Sequence, residues 1–213
     1  MANGLYNQNK FPGYFFNGDF KTLVDVVRQL PNKGTIVEIG TFLGRSTKFW
    51  ADTSKLLNKE FDIICLDTYN NKGSDVFNEN LNARIGGTLN SVNKFVHNKL
   101  TNLEMLEENF KQYKNIKFIK YDIFKNTPES LRLNDVVCVF DDAVHTSQGV
   151  TKTFNDWFPI LEYNGIYCGH DYSQNYPEVI STINSITSTN NLNLVKPKQN
   201  SSMYYFTKVK HGQ

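Results

Sequence analysis

Thr35-Ile36-Val37-Glu38-Ile39-Gly40-Thr41-Phe42-Leu43-Gly44-Arg45-Ser46 is the stretch that decides the fold. An apolar, β-branched run broken only by Glu38 reads as a buried strand. Gly40 and Gly44 follow it, and a helical pattern begins at once. Glycine directly after a strand lets the backbone turn tightly and come close to a ligand. The first N–H groups of the helix then point at whatever sits over the strand end. The stretch is therefore a ligand-binding strand–turn–helix, and it raises the question of which ligand.

Outward from it, the pattern alternates. Before it, Phe20, Leu23, Val24, Val27 and Leu30 recur at helical spacing and stop ahead of Pro31. After it come a helix over about 44–57, a buried strand over 61–66, a helix over 100–113 and a strand over 116–119. Strands at 135–140 and 165–169 follow, with helices at 148–158 and 177–186, and two closing strands at 192–195 and 203–207. Strands alternating with helices imply an α/β fold, a mostly parallel sheet with helices on both faces. The two closing strands follow each other closely, so one is expected to run antiparallel. Residues 1–213 read as a single domain, with an aromatic N-terminal arm at 1–18 and a long polar insertion or lid at 70–94.

Composition excludes several classes. The formal charge of +2 argues against nucleic acid or membrane as a partner. No apolar run approaches the roughly 20 residues that span a bilayer. The first residues, Met-Ala-Asn-Gly-Leu-Tyr-Asn, show no basic-then-apolar signal pattern. The three cysteines, Cys65, Cys138 and Cys168, all fall inside expected strands without metal-ligand spacing. Buried free thiols in a cytoplasmic protein are the expectation. The aromatic arm is a candidate homodimer contact.

Polar residues collect where the strands end: Glu38, Asp67, Asp122, Asp141 with Asp142, and His170 with Asp171. In open α/β sheets ligands bind outside the carboxyl ends of the strands. One such acid usually caps the next helix; a set of them beside a Gly-rich turn points to a site. Asp141 could still cap the helix near Gln148 or bind a loop amide, and His170 could be a structural histidine. The turn lacks both the Gly-x-x-x-x-Gly-Lys phosphate loop and the Gly-x-Gly-x-x-Gly dinucleotide fingerprint. Glu38 would repel a pyrophosphate and suits a cation, whereas Asp67 suits ribose hydroxyls. A ribose and a cation without phosphate describe S-adenosylmethionine.

Val-Glu-Ile-Gly-Thr-Phe-Leu-Gly-Arg-Ser at 37–46 resembles motif I of class I S-adenosylmethionine-dependent methyltransferases. Asp-Asp-Ala-Val-His at 141–145 and Gly-His-Asp-Tyr at 169–172 are similar to the subfamily that includes metal-dependent sugar O-methyltransferases. The resemblance implies a Rossmann-like seven-stranded sheet of order 3-2-1-4-5-7-6 with strand 7 antiparallel. It implies Glu38, Gly40 and Gly44 near the methionine part, with Thr41 and Ser46 of the same motif beside them. Asp67 would meet the ribose, Asp122 would lie near the adenine, and Asp141 would adjoin the cofactor.

Methyl transfer to oxygen needs in-line approach and removal of the hydroxyl proton. Asp142 and Asp171, with His170, form a candidate set for Mg²⁺ or another divalent metal, and His145 is the candidate base, with Asp142 beside it at the catalytic end. Subfamily members carry an acidic pair where this chain has His170-Asp171, so one expected carboxylate is an imidazole. The leading expectation is O-methylation of a small hydroxylated acceptor such as a sugar. N-methylation of an amine or nucleobase is the second reading, although residues 142–145 lack the Asn/Asp-Pro-Pro-aromatic pattern. A non-catalytic S-adenosylmethionine-binding protein is the third.

Overall fold

The computed structural model describes residues 11, 13–15, 17–70, 99–196 and 200–210. Five parallel strands form the sheet: β1 (Lys33–Ile39), β2 (Glu60–Asp67), β3 (Ile116–Lys120), β4 (Val136–Asp141) and β5 (Ile166–Gly169). A sixth, β6 (Tyr204–Thr207), pairs antiparallel with β5. The order is β3-β2-β1-β4-β5-β6, which puts β1 at the centre and the order reversal between β1 and β4.

Seven strands were expected, and the described residues form six. The difference lies at 192–195, where Val195 alone pairs, as an antiparallel bridge to Tyr205 on the outer side of β6. Leu192 and Leu194 still lean on the core while Asn193 is exposed, so the segment keeps a strand's alternation. It closes too few backbone bonds to count as a strand. The final strand lies beside β5, where the sequence reading put strand 7. The 70–94 insertion lies, from residue 71 on, outside the described residues, as does most of the N-terminal arm.

Each face of the sheet carries its own core. On one face lie α1 (Asn17–Gln29), α2 (Arg45–Leu56) and α3 (Asn102–Phe110). Phe20, Leu23 and Val27 of α1 meet Phe49 and Trp50 of α2 over Ile36, Cys65 and Phe140 of the sheet. On the other lie α4 (Ser147–Trp157) and α5 (Pro177–Thr189). Val150, Phe154 and Trp157 fall at one helical face and bury against Val139 and Tyr167. A fully buried aromatic such as Trp157 typically costs about 3–5 kcal/mol when cut to alanine. The three cysteines are buried free thiols, as expected. Among the described residues no helix is long and apolar enough to cross a membrane.

The described part of the arm packs on its own domain. Phe15 is buried, its ring 5.1 Å from that of Phe20 and 5.5 Å from that of His170. The arm therefore reaches the carboxyl end of the sheet.

Candidate active site

At the end of β1 the chain turns on Gly40, whose φ is +93°. A Cβ there would sit 2.2 Å from the carbonyl oxygen of Asp142, so only glycine lets the β1 and β4 ends touch. The turn is fastened on both sides: Gly40 N–H donates to the Leu66 carbonyl (2.8 Å) and Asp142 N–H to the Ile39 carbonyl (2.8 Å). Gly44, φ +80°, caps α2 and serves a different purpose. A Cβ on it would lie 2.5 Å from Leu106 Cδ2, so its absence admits α3 against the turn.

A cavity of about 1020 Å³ opens at this end of the sheet. Gly40, Thr41, Ser46 and Asp67 line one side; Asp142, His145, His170 and Asp171 line the other. A second cleft, about 920 Å³, lies at the amino ends of β1, β2 and β4, around Lys33, Glu60 and Asp135. Strand carboxyl ends are where such sheets bind ligands, so the first cleft is the candidate site.

Asp67 at the end of β2 is held by two backbone donors: Phe42 N–H reaches Oδ2 (2.9 Å) and Tyr69 N–H reaches Oδ1 (3.1 Å). The Thr68 hydroxyl also donates to Oδ1 (3.4 Å), and Oδ2 keeps a further lone pair with which Asp67 can still accept from a hydroxyl in the cavity.

Four residues singled out in the sequence do not line the cavity. Glu38 is fully buried behind the turn, where Oε2 accepts from the Thr47 hydroxyl and Oε1 has no partner. Burial pushes its carboxyl up to about 7, against the hydrogen bonds of Ser46, Thr47 and Cys65. Gly44 faces α3. Asp122 lies at the end of β3 and is taken up locally, by Phe124 N–H (3.0 Å) and Lys125 Nζ (2.9 Å). Asp141, the last residue of β4, accepts from the Tyr167 hydroxyl (3.0 Å), and burial pushes it up to about 7. It does not cap the helix that follows: the side chain of Thr146 does, accepting from Gly149 N–H at 3.2 Å.

Across the cavity four titratable groups meet. Nε2 of His145 lies 2.7 Å from Oδ2 of Asp171. Nδ1 of His170 lies 3.5 Å from Oδ1 of Asp142 and 3.3 Å from Oδ1 of Asp171. The contact with Asp171 raises the pKa of His145, outweighing burial. Burial opposes charge on His170, but Asp142, Asp171 and Asp19 outweigh it and hold the ring well above its ordinary value. Burial likewise raises Asp142, whereas His145 and His170 overcome it at Asp171 and hold that carboxyl well below the usual range.

Asp142, His170 and Asp171 each offer one donor atom, all within 4.8 Å of one another. Two carboxylates and an imidazole at such spacing fit a divalent cation. The residues present also fit S-adenosylmethionine: a glycine turn with no room for a side chain stands beside a carboxylate anchored at the end of β2.

Several contributors were not visible in the sequence. Asp19, in the first turn of α1, is buried against Nε2 of His170 (3.2 Å). Ser202 Oγ approaches the same nitrogen at 3.0 Å. The Tyr176 ring lies against that of His145, centroids 4.4 Å apart. An acid in a helix's first turn ordinarily reads as a partner for the helix dipole, so Asp19 gave no signal of its own.

The glycine turn, the anchored Asp67 and the order reversal beside them define a Rossmann-like methyltransferase. A family model described as a methyltransferase domain matches residues 37–172, well over half of the chain. The chain belongs to that family and is an S-adenosylmethionine-dependent methyltransferase. Among curated proteins none matches the sequence. The solved structure of the O-methyltransferase NovP is similar with a TM-score of 0.62 at 12% identity, covering 91% of this chain and 80% of that one. CalS11, a TDP-rhamnose 3'-O-methyltransferase of calicheamicin biosynthesis, gives 0.58 at 13% identity, covering 91% and 81%. An rRNA methylase from Streptococcus thermophilus gives 0.50 at 11% identity, covering 91% and 94%. At these identities the likeness is one of fold.

Proposed function

We propose that the chain methylates a hydroxyl oxygen of a small hydroxylated molecule such as a sugar, with His145 as the base and a divalent cation at Asp142, His170 and Asp171. The observation that carries this reading is the His145–Asp171 contact of 2.7 Å, facing the cavity that the glycine turn also lines. When bound, S-adenosylmethionine supplies an electrophilic methyl on sulfur, and the cation lowers the acceptor hydroxyl's pKa.

The chain's own residues do the rest. Gly40 and Thr41 bring backbone to the methionine side, and Asp67 accepts from the ribose hydroxyls. Asp171 holds the His145 imidazole in one orientation, and Tyr176 covers its face. As the acceptor oxygen bonds to the methyl carbon and the carbon–sulfur bond breaks, neutral His145 takes the hydroxyl proton. A base so placed typically contributes about 10²–10⁴ in rate.

The protein sequence favours a small acceptor over nucleic acid, since a charge of +2 offers little for a phosphate backbone. Incubation with S-adenosylmethionine and a panel of sugars, nucleotide sugars, phenols, amines and RNA tests the reading, with methylated products identified by mass spectrometry. Methylation of a hydroxylated small molecule supports it; methylation of RNA or amines alone overturns it.

A further inference from the structure

We propose that Asp19 is the positioning carboxylate of the cation site, and that it makes the site select a borderline transition-metal ion such as Mn²⁺, Fe²⁺ or Co²⁺ over Mg²⁺. The inference rests on the reading of Asp142, His170 and Asp171 as cation ligands, and deepens it by naming what sets the third donor.

Asp19 comes from α1, remote in sequence from the strand ends, and is 1% exposed. Its carboxylate cannot rotate freely. Oδ1 accepts from the Ser201 hydroxyl (2.9 Å) and the Ser202 N–H (2.9 Å), which leaves Oδ2 toward Nε2 of His170 at 3.2 Å. Ser202 Oγ also lies 3.0 Å from Nε2. An ionised carboxylate only accepts, so Asp19 favours a ring proton on Nε2, and a cation that displaces the Nδ1 proton would be met by the Nδ1 lone pair. Phe15 packs on the ring and restricts its rotation.

The two donor separations measured from His170 suit a metal. Bonds of about 2.1 Å put neighbouring ligands roughly 3.0 Å apart in an octahedron and roughly 3.4 Å apart in a tetrahedron. The observed separations from Nδ1 are 3.3 and 3.5 Å. The donor set decides which metal. Mg²⁺ favours oxygen donors, whereas an imidazole shifts preference toward later divalent ions. A carboxylate behind the ring raises the basicity of the ligating nitrogen and reinforces that preference. Asp19 thus stands to His170 as an outer carboxylate stands to a metal-bound histidine.

The test uses the full chain stripped of metal with a chelator and titrated calorimetrically with Mg²⁺, Mn²⁺ and Co²⁺, with the Co²⁺ visible spectrum recorded alongside. The wild type is expected to bind Co²⁺ and Mn²⁺ roughly tenfold or more tightly than Mg²⁺. Asp19→Asn should weaken Co²⁺ by about 10–100-fold, shift its spectrum and change Mg²⁺ much less. His170→Asp should move the preference toward Mg²⁺, and it carries the test alone if Asp19→Asn does not fold by near-ultraviolet circular dichroism. Equal loss of both ions in Asp19→Asn, a wild-type preference for Mg²⁺, or an unchanged preference in His170→Asp would overturn the proposal. If no cation binds at all, the cation-site reading falls with it. If cations bind but Asp19→Asn changes nothing, only the role of Asp19 fails. Calorimetry with S-adenosylmethionine on the same samples reports the methyl-donor site separately.

Discussion

Nε2 of His145 and Oδ2 of Asp171 stand 2.7 Å apart, one from the loop after β4 and the other just past β5. These strands are neighbours, and Asp141 pairs with Gly169 in their register. The sheet therefore delivers the two side chains to one place although 26 residues separate them. His145→Gln should lower turnover by about 10²–10⁴ while leaving the affinity for S-adenosylmethionine within about twofold. Steady-state kinetics with calorimetry separates these effects. A loss of donor affinity that matches the loss of rate would mean that His145 serves binding.

Asp67→Ala removes the acceptor for Phe42 and Tyr69 N–H and for a ribose hydroxyl. Hydrogen bonds to a charged group are worth about 1.5–3 kcal/mol, so donor affinity should fall roughly 10–100-fold. Calorimetry reads it directly, and unchanged affinity would place the ribose elsewhere.

Gly40→Ala meets two penalties. Its φ of +93° is strained for any side chain, and the new Cβ would meet the Asp142 carbonyl at 2.2 Å. The sum is about 2–5 kcal/mol of stability, to be read by urea unfolding, together with loss of donor binding. A variant as stable as the wild type would show that the turn has room to move.

Much of this was legible because burial imposes a period. Strands closed on both faces read as unbroken apolar runs, and helices packed on one face repeat every three to four residues, so β1 to β5 and α1 to α5 of the described residues could be placed from the chain. The edge of the sheet was harder. Residues 192–195 alternate like a strand, yet pairing there depends on a neighbour's backbone, and only Val195 finds one. At the site, a motif places residues within its own turn but says nothing about which way a side chain faces. Glu38 and Asp141 sit at strand ends and still point into the packed layers, not the cavity. Asp19 is the converse case: it joins the cluster because α1 packs near the β5 end, a tertiary fact without a local signature.

Glu38 supplies a pH test. Burial moves its carboxyl from 4.5 to about 7, so the folded protein binds this proton more tightly than the unfolded chain does. The associated stability is present in full below about pH 4.5 and is lost as the pH rises through about 7. Glu38→Gln does not titrate. The stability of the variant relative to wild type should therefore increase from pH 5 to pH 8, by up to about 3 kcal/mol. Parallel stability profiles in urea at the two pH values would show that Glu38 stays ionised in the fold.

The most direct test follows the methyl group itself. Donor labelled with ¹³C at the methyl is mixed with wild type and with His145→Gln, a responsive acceptor from the panel is added, and the product is read by carbon NMR. A methoxyl resonance should grow with the wild type and be nearly lost with the variant. An N-methyl resonance, or a methoxyl signal growing equally fast with both proteins, would contradict it.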